Sequence, residues 1–390
     1  MKRRTICVVT TSRADFGHLK SLLAAIYSDP ALRLQVIASG MHLAPEFAMT
    51  SEELRAANVR IDRKIHMLLS GNCSLSNLKS IGVGIMGFAD AFFELKPEVV
   101  VLLGDRFELI AAAVSALMLK IPIAHIHGGE RSEGSIDESV RHAITKMATV
   151  HFAATESYRR RIIQMGELPA KVFNFGAPGL DQLSACTLLT RTQLGKDLGI
   201  SLDGPFALVT FHPATRDRES VATQARHILE AIELSGLRAL FTMANADDGG
   251  LRINAILKAR CELRPGRFAW VPHLGHRRYL SCLRHSSVMI GNSSSGLTEA
   301  PSFRLPVVNI GDRQRGRIRA ANVIDVPCSR DAILNGIRKA CSPRFRSSLR
   351  GMRNPYSGRQ RGSVGERIKQ VLKDLDLSRS PTVKRFRDLR

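Results

Sequence analysis

Short runs of β-branched and aliphatic residues alternate along the chain with longer stretches in which apolar residues recur at helical spacing. In the first half, the short runs predict strands at residues 5–10, 34–38, 64–69, 99–103, 123–126, 150–154 and 172–175. In the second half, they predict strands at residues 206–210, 237–242, 268–271, 288–290 and 307–309. The helical stretches include residues 16–27, 84–94 and 109–119. This alternation is typical of α/β proteins with parallel sheets.

A turn-rich Gly-Ala-Pro-Gly segment at 176–179 separates the two halves. We therefore predict an α/β fold of two Rossmann-like domains with a central cleft. The N-terminal domain is expected over 1–178, the C-terminal domain over 179–375 and a basic tail over 376–390. Ligands of open α/β sheets bind at the carboxyl ends of the strands, so the reactive groups are expected there.

Composition narrows the class of protein. The 390 residues suit two domains, at roughly 100–200 residues each. The apolar runs fall well short of the roughly 20 residues that span a bilayer, so no membrane partner is expected. The basic start of the chain precedes too short an apolar stretch for a secretory segment. Seven scattered cysteines without a Cys-x-x-Cys pair favour free thiols and a cytoplasmic location.

The net charge of +22 is concentrated towards the C-terminus, where residues 311–390 contain 21 lysines and arginines but only 7 acidic residues. Such a bias suggests a polyanionic partner. Aromatic residues make up only 5% of the chain, however, which offers little stacking surface for bases. We expect a basic surface on a protein that handles anionic substrates, and no nucleic-acid partner.

A Gly-Asn-Ser-Ser-Ser-Gly segment at 291–296 follows one of the predicted strands. Small residues let backbone amides approach an anion, and the N-terminus of a following helix adds positive potential. Ser293 and Ser294 could bond a phosphate, and Glu299 could accept bonds from ribose hydroxyls. A plain turn capped by serine is the alternative.

Three arginines, Arg13, Arg106 and Arg313, also follow predicted strands. Guanidinium groups bind phosphate oxygens in pairs of hydrogen bonds. These arginines, together with the segment at 291–296, which we call the serine loop, therefore predict a diphosphate site.

Three carboxylates, Asp105, Glu130 and Asp137, are predicted beyond the ends of neighbouring strands. Crowded carboxylates raise one another's pKa, so one could donate a proton while another accepts one. His212, directly after the strand at 206–210, could carry a proton or bind phosphate, and a purely structural role is equally open.

Two further patterns resemble cofactor sites. The segment 82–87 matches G-x-G-x-x-G, but no strand precedes it, so we predict close helix packing and no nicotinamide cofactor. His125 and His127 alternate on one strand near Glu130, but no second cluster of ligands accompanies them, and no metal site is predicted.

At these residues the sequence resembles the hydrolysing UDP-N-acetylglucosamine 2-epimerases of sialic-acid and related nonulosonate pathways. The matching segments run in order along the chain: TSRADFG at 11–17, GMHLAPEF at 40–47, GDRFE at 104–108, HIHGGE to IDESVRH at 125–142, GAPGLD at 176–181, FHP at 211–213, NAD at 245–247, GNSSSG at 291–296 and NIGDRQ at 309–314.

The resemblance implies a glycosyltransferase-B-like fold, no cofactor, a UDP-sugar substrate and a homodimer or homotetramer. It assigns UDP and sugar binding to a set of nine residues: Arg13, His42, Arg106, His127, Asn245, Ser293, Ser294, Glu299 and Arg313. It assigns catalysis to five: Asp105, Glu130, Asp137, Arg141 and His212.

The implied reaction removes the C2 proton while UDP leaves C1, which gives a glycal-like intermediate. Water then adds at C1, and a proton returns to the opposite face of C2. UDP-N-acetylglucosamine, which would yield N-acetylmannosamine, is the first expected substrate, and UDP-N,N'-diacetylbacillosamine of the legionaminic-acid branch is the second. A UDP-sugar glycosyltransferase of the same fold and a polyanion-binding protein are the alternative functions.

Overall fold

The computed structural model describes residues 3–45, 51–71, 73–133, 135–213, 219–245, 249–358, 362–377, 384 and 387–388. The chain forms two compact units. The first unit comprises 1–130, 137–185 and 356–390, and the second comprises 131–136 and 186–355. Most of the predicted basic tail at 376–390 lies outside the described residues.

The first unit is built on a parallel sheet of seven strands in the order β3-β2-β1-β4-β5-β6-β7. The strands are β1 (Arg4–Thr10), β2 (Leu32–Ser39), β3 (Arg63–Ile65), β4 (Val99–Leu103), β5 (Ile123–Ile126), β6 (Val150–Ala153) and β7 (Val172–Asn174). The strand order reverses between β1 and β4, which is the position where Rossmann-type sheets bind ligands. The predicted third strand at 64–69 was too long, because β3 lies at the edge of the sheet and pairs with β2, which ends at Ser39 opposite Ile65.

Helices cover both faces of this sheet, so its strands are apolar on both sides. They are α1 (Arg13–Ser28), α2 (Ser51–Ala56), α3 (Ser74–Leu95), α4 (Phe107–Met118), α5 (Asp137–Met147), α6 (Glu156–Gln164) and α7 (Asp181–Ala185). The helix α15 (Val364–Asp374) completes the unit from the other end of the chain.

The second unit repeats the pattern with a six-stranded parallel sheet in the order β10-β9-β8-β11-β12-β13. Its strands are β8 (Phe206–Thr210), β9 (Arg238–Phe241), β10 (Phe268–Trp270), β11 (Val288–Gly291), β12 (Val307–Ile310) and β13 (Val323–Val326). Its helices are α8 (Arg191–Leu198), α9 (Val221–Ser235), α10 (Gly250–Leu263), α11 (Gly275–His285), α12 (Ser295–Thr298), α13 (Arg330–Cys341) and α14 (Pro343–Ser348). Strand β13, with Asp325 in a run of four residues, has too weak an apolar pattern to have been predicted.

Helix α15 packs against α1 and places Val364, Ile368 and Leu372 in the core of the first unit. Arg4 at the start of β1 donates to the backbone carbonyl of Leu372 at 2.8 Å. Residues 179–185 and 356–375 therefore belong to the first unit, whereas the sequence interpretation had placed the whole of 179–375 in the second domain.

Part of the positive charge near the C-terminus has partners within the first unit. Lys373 and Lys369 bond Asp29, and the bonds that Asp29 accepts, chiefly from Lys373, lower its pKa to about 2. Lys384 pairs with Glu167 at 2.6 Å. These contacts give the basic segment a structural role.

The G-x-G-x-x-G segment lies within α3. A Cβ at Gly84 would lie 3.0 Å from the Cβ of Ala111 on α4 and 2.7 Å from the methyl group of Met67. The prediction of close helix packing is thus confirmed.

Across the described parts of the chain, every helix is too short or too polar to cross a bilayer.

Candidate functional site

The first unit carries a group of predicted site residues where β1 passes into α1. Asp15 accepts hydrogen bonds from the backbone nitrogen and the hydroxyl of Thr11, at 3.1 and 2.6 Å, and fixes the turn. This turn makes Arg13 the first residue of α1, where it is half-buried. The fully buried ring of His42 lies against the same strand end, with its Nε2 2.9 Å from the hydroxyl of Thr10.

The guanidinium of Arg141 is completely buried and connects three segments of the site. It forms an ion pair with Asp105, which follows β4, and donates from Nη1 to Glu138 Oε2 and to the carbonyl of Glu130, both at 3.0 Å. A buried arginine is tolerated only when it is paired in this way. Arg141 therefore holds Asp105 in place and ties the loops after β4 and β5 to α5.

Arg106, beside Asp105, is held by a carboxylate that the sequence analysis did not single out. Its Nη2 lies 2.5 Å from Oε1 of Glu108, whose side chain is fully buried. Burial raises the pKa of Glu108, and the charge of Arg106 opposes that rise. The sequence offered one indication of this contact, since an acidic residue follows two positions after the arginine.

His127 and Glu130 form a pair directly after β5. The Nδ1 of His127 lies 2.6 Å from Oε1 of Glu130, and both side chains are largely buried. The other ring nitrogen, Nε2, is buried and has no hydrogen bond to any residue that the structure describes. His127 also has a φ of +65°, a left-handed conformation that is rare outside glycine and collects at functional sites. A histidine that has a carboxylate at one ring nitrogen can exchange a proton through the other nitrogen, which makes this pair a candidate acid/base group.

His125, two residues earlier, has a different environment. Its Nε2 lies 2.8 Å from the carbonyl oxygen of Gly104, and its Nδ1 lies 3.2 Å from the hydroxyl of Thr145. Burial lowers the pKa of His125 to about 3, so the ring is neutral. Its two hydrogen bonds connect β5 to the end of β4 and to α5. Asp137 is the first residue of α5, one turn before Arg141, and is half-buried.

In the second unit, the side chain of Asn292 clamps the loop after β8. Its Oδ1 accepts from the backbone nitrogen of His212 at 2.8 Å, and its Nδ2 donates to the carbonyl of His212 at 2.7 Å. The Nδ1 of His212 in turn accepts from the backbone nitrogen of Asn245 at 3.1 Å. Because Nδ1 accepts, the proton of the neutral ring resides on Nε2, which makes this nitrogen a hydrogen-bond donor.

The serine loop begins where β11 and β8 come into contact. Gly291 has a φ of +133°, and a Cβ there would overlap the carbonyl oxygen of Thr210. Ser293 and Ser294 follow and are half-buried, while Glu299, after the next turn, is buried. The expected helix is only the four-residue α12, so this turn lacks the dipole of a full helix.

The loop after β12 lies against the serine loop. Gln314 is buried and donates to the backbone carbonyl of Asn292 at 2.8 Å. Arg313, next to it, is half-buried. Asn292 and Gln314 were not among the predicted site residues, although both lie within the quoted segments. The structure thus groups His212, Asn245, Asn292 and the residues beside them around the ends of β8, β11 and β12.

The sequence model of the UDP-N-acetylglucosamine 2-epimerases matches residues 24–373. This chain belongs to that family. The expected family and enzyme class are therefore confirmed.

Relatives of this epimerase agree with that assignment. The GDP/UDP-N,N'-diacetylbacillosamine 2-epimerase (hydrolyzing) of Campylobacter jejuni is 40% identical over 83% of this chain and 85% of its own length. The UDP-N,N'-diacetylbacillosamine 2-epimerase (hydrolyzing) of Legionella pneumophila is 38% identical over 96% of this chain and 97% of its own. The UDP-N-acetylglucosamine 2-epimerase of Neisseria meningitidis is 31% identical over 99% of each chain.

Solved structures show the same fold. The structure of the N. meningitidis UDP-GlcNAc 2-epimerase bound to UDP-GlcNAc has a TM-score of 0.78 at 18% identity, and covers 94% of this epimerase and 99% of that chain. The Methanocaldococcus jannaschii enzyme in complex with UDP-GlcNAc and UDP has a TM-score of 0.77 at 17% identity, over 94% and 99% of the two chains. The predicted class, two Rossmann-like α/β domains of the glycosyltransferase-B type, is confirmed.

Proposed function

We propose that the enzyme releases UDP from a UDP-2-acetamido sugar and inverts the sugar at C2, with the second unit binding UDP and the first unit transferring the protons. The observation that carries this proposal is the His127–Glu130 pair in the same unit as the Arg141–Asp105 ion pair. Removing and returning a proton on opposite faces of one carbon requires two positioned acid/base groups.

The assignment of roles follows from the partners of each group. Asp105 is fixed in place by its ion pair with Arg141, so it is our candidate for the base that takes the C2 proton. As the C2–H bond and the C1–O bond to UDP break, a C1–C2 double bond forms. His127, with Glu130 behind it, then gives a proton to C2 as water adds its hydroxyl group to C1. The second proton of that water replaces the one His127 gave, and the proton held by Asp105 passes to solvent. Asp137 is assigned to the same sugar-side group, and Arg141 positions Asp105.

UDP is assigned to the loops of the second unit. The Nε2–H of His212, the hydroxyls of Ser293 and Ser294 and the guanidinium of Arg313 are the diphosphate donors. Stabilising the departing diphosphate lowers the barrier to its release. In the same assignment Glu299 binds the ribose hydroxyls. Arg13 and Arg106 are proposed to bind substrate within the first unit.

Ser294→Ala and Arg313→Ala are each expected to weaken UDP binding by about 10-fold or more, because each removes a donor to a charged oxygen. Isothermal calorimetry with UDP measures the change. Arg315→Ala is the matched control, since this arginine lies on the same loop as Arg313 but is mostly exposed and faces Glu133. Unchanged affinity in both test variants, with an intact fold by circular dichroism, would remove the phosphate assignment.

The names of the relatives bear on the sugar. The sequence alone placed UDP-N-acetylglucosamine first, but the relatives at 40% and 38% identity are both named for N,N'-diacetylbacillosamine. We therefore propose UDP-N,N'-diacetylbacillosamine as the preferred substrate and UDP-N-acetylglucosamine as the second candidate. The product of the first would enter nonulosonate synthesis of the legionaminic-acid type.

Incubation of the purified enzyme with each nucleotide separately, followed by quantification of UDP, tests this order. We expect UDP release from both sugars and a higher kcat/KM for the diacetamido sugar. A higher value for UDP-N-acetylglucosamine would reverse the order and leave the reaction class intact. Release that required an added acceptor sugar would instead indicate a glycosyltransferase.

We also propose a cytoplasmic location and a homo-oligomeric state. All seven cysteines are free, which suits a reducing compartment.

The polyanion-binding alternative is weakened by the contacts of Lys369, Lys373 and Lys384 with acidic residues of the first unit.

A further inference from the structure

The ammonium group of Lys384, in the predicted basic tail, is surrounded by oxygen atoms of the first unit. Its Nζ lies 2.6 Å from Oε2 of Glu167 and donates to the backbone carbonyls of Lys146 and Ala148 at 2.8 and 2.7 Å. The carbonyl oxygen of Thr145 lies slightly further away, at 3.4 Å. An ammonium group has three N–H donors, so the three near oxygens can use all of them. We call this set of four oxygens the ammonium cage.

The three carbonyls of the ammonium cage lie at the C-terminal end of α5. The last carbonyl groups of a helix have no partner inside the helix, and a lysine can bond them and interact favourably with the negative end of the helix dipole. The lysine that does so here comes from 236 to 239 positions further along the chain. Its side chain is only 26% exposed, which distinguishes this contact from an ordinary surface ion pair. Lys384 therefore completes the end of α5.

Glu167 supplies the negative charge of the ammonium cage. Its side chain is buried, and its two oxygens also lie 3.1 Å from Nε2 of His151 and 2.7 Å from Nζ of Lys146. Burial favours the neutral acid, but the hydrogen bonds from the surrounding cations and the histidine outweigh it and lower the pKa of Glu167 to about 2. The carboxylate is therefore ionised at neutral pH. Loss of Lys384 would remove one of its partners in a buried place, which is costly.

Helix α5 carries groups that the proposed reaction uses. It spans 11 residues, begins at Asp137 and contains Arg141, whose guanidinium fixes Asp105. Thr145, whose carbonyl belongs to the ammonium cage, has its hydroxyl 2.9 Å from the carbonyl oxygen of Arg141 and 3.2 Å from Nδ1 of His125. The cage thus holds the last turn of the same helix that positions Asp105.

His125 extends this connection to the turns after β4 and β5. Its Nε2 lies 2.8 Å from the carbonyl oxygen of Gly104, which directly precedes Asp105. A Cβ at Gly128, which directly follows His127, would lie 3.1 Å from Nδ1 of His125. The ring is therefore packed against the backbone beside both groups. A shift of the last turn of α5 is expected to displace Asp105 and His127 together.

We infer that the ammonium of Lys384 is a positioning group for the proton transfers, a cation supplied by the chain itself that holds α5 and, through it, Asp105 and His127. This inference rests on the function proposed above. Because UDP is assigned to the second unit, Lys384 should affect kcat and leave UDP affinity unchanged. The ammonium cage requires N–H donors, so it should accept a primary ammonium ion in place of the lysine and reject a quaternary one.

Lys384→Ala tests the role of the cage, because the atoms it removes are the three carbons and the nitrogen of n-propylammonium. We expect kcat to fall by about 10-fold, since a misplacement of 1 Å at a reacting group can cost about 10²-fold. Added n-propylammonium chloride should restore most of the lost activity, with a saturable dependence on its concentration. Tetramethylammonium chloride at the same concentration has no N–H group and should restore none. Lys384→Arg keeps the charge and the donors and should retain most of the wild-type kcat.

Two further variants serve as controls for this experiment. Arg387→Ala removes the same charge from an exposed position three residues further on and should have the wild-type kcat. Lys384→Met keeps the length of the apolar stem and removes only the ammonium, so it replaces Lys384→Ala if that variant does not fold. Wild-type kcat in Lys384→Met or Lys384→Ala, an equal loss in Arg387→Ala, or equal rescue by the two salts would each overturn the inference.

The thermal midpoint separates this inference from the proposed function. n-Propylammonium should raise the midpoint of Lys384→Ala by about 2 °C or more and leave that of the wild type unchanged, whether or not a UDP-sugar is turned over. A wild type that releases no UDP from either sugar would refute the proposed function. A midpoint of Lys384→Ala that does not respond to the amine would instead refute the ammonium cage.

Discussion

Replacing His127 by asparagine is expected to lower kcat by at least about 10²-fold, the usual size of an acid/base contribution. Asparagine tolerates the left-handed backbone that His127 adopts, so the turn after β5 should survive the change. What is lost is the ring nitrogen that exchanges a proton. UDP release under saturating substrate gives kcat, and calorimetry should show UDP affinity close to that of the wild type.

Two further variants separate chemistry from structure in this experiment. Glu130→Gln keeps the size of the side chain but removes the negative charge beside Nδ1, so kcat should fall and its pH dependence should shift. His66→Asn changes an exposed histidine in the same unit and should have wild-type kinetics. Turnover near the wild-type rate in His127→Asn would refute the role of the pair.

Asp105→Asn and Asp137→Asn are each expected to lower kcat by at least about 10²-fold while UDP still binds, because an amide keeps the shape of the side chain but cannot take up a proton. The double variant should lose less than the product of the two single losses, since groups that act on one transition state are not additive. Asp105→Asn also deprives the buried Arg141 of a carboxylate partner, so the thermal midpoints of both variants must be recorded. Near-wild-type turnover in both variants would refute the assignment.

An isotope measurement complements these variants. In D₂O the wild type should yield product with deuterium at C2, because the returned proton comes from a group that exchanges with solvent. Product that carries only the original hydrogen at C2 would contradict the proton transfer proposed for the first unit.

The central strands could be predicted from the sequence because burial on both sides demands continuous apolar runs. Val99–Leu103, Ile123–Ile126 and Phe206–Thr210 appear with the predicted bounds. Strands at the sheet edges were predicted less well, since β3 and β13 have a neighbour on one side only and need less apolar length. The sequence also did not show that residues 356–375 belong to the first unit. The pattern of an amphipathic helix predicts an apolar face but does not indicate which core that face packs against.

For the site, the sequence likewise predicted where the candidate residues lie better than it predicted which residues they contact. The positions of most candidates followed from the rule that ligands bind at the carboxyl ends of strands, whereas His42 and Asn245 came from the family resemblance. The partners did not, because the Arg141–Asp105 pair spans 36 positions and the bonds between Asn292 and His212 span 80. Such distances are closed by the order of strands in a sheet, which local spacing does not encode. The left-handed backbone of His127 has no signature in the sequence at all.

Because residues 356–390 belong to the first unit, the core of that unit can be completed only late in synthesis. The core face that includes Ile6 and Leu22 is completed by Val364, Ile368 and Leu372, which leave the ribosome after the whole of 186–355. The main segment of the second unit, 186–355, is made without interruption and can close beforehand. The nascent first unit must therefore wait with an uncovered apolar surface while its neighbour folds, a state that invites aggregation or capture by chaperones. Helix α15 covers this surface once it is made, so a frameshift near residue 360 is expected to leave the core of the first unit incomplete.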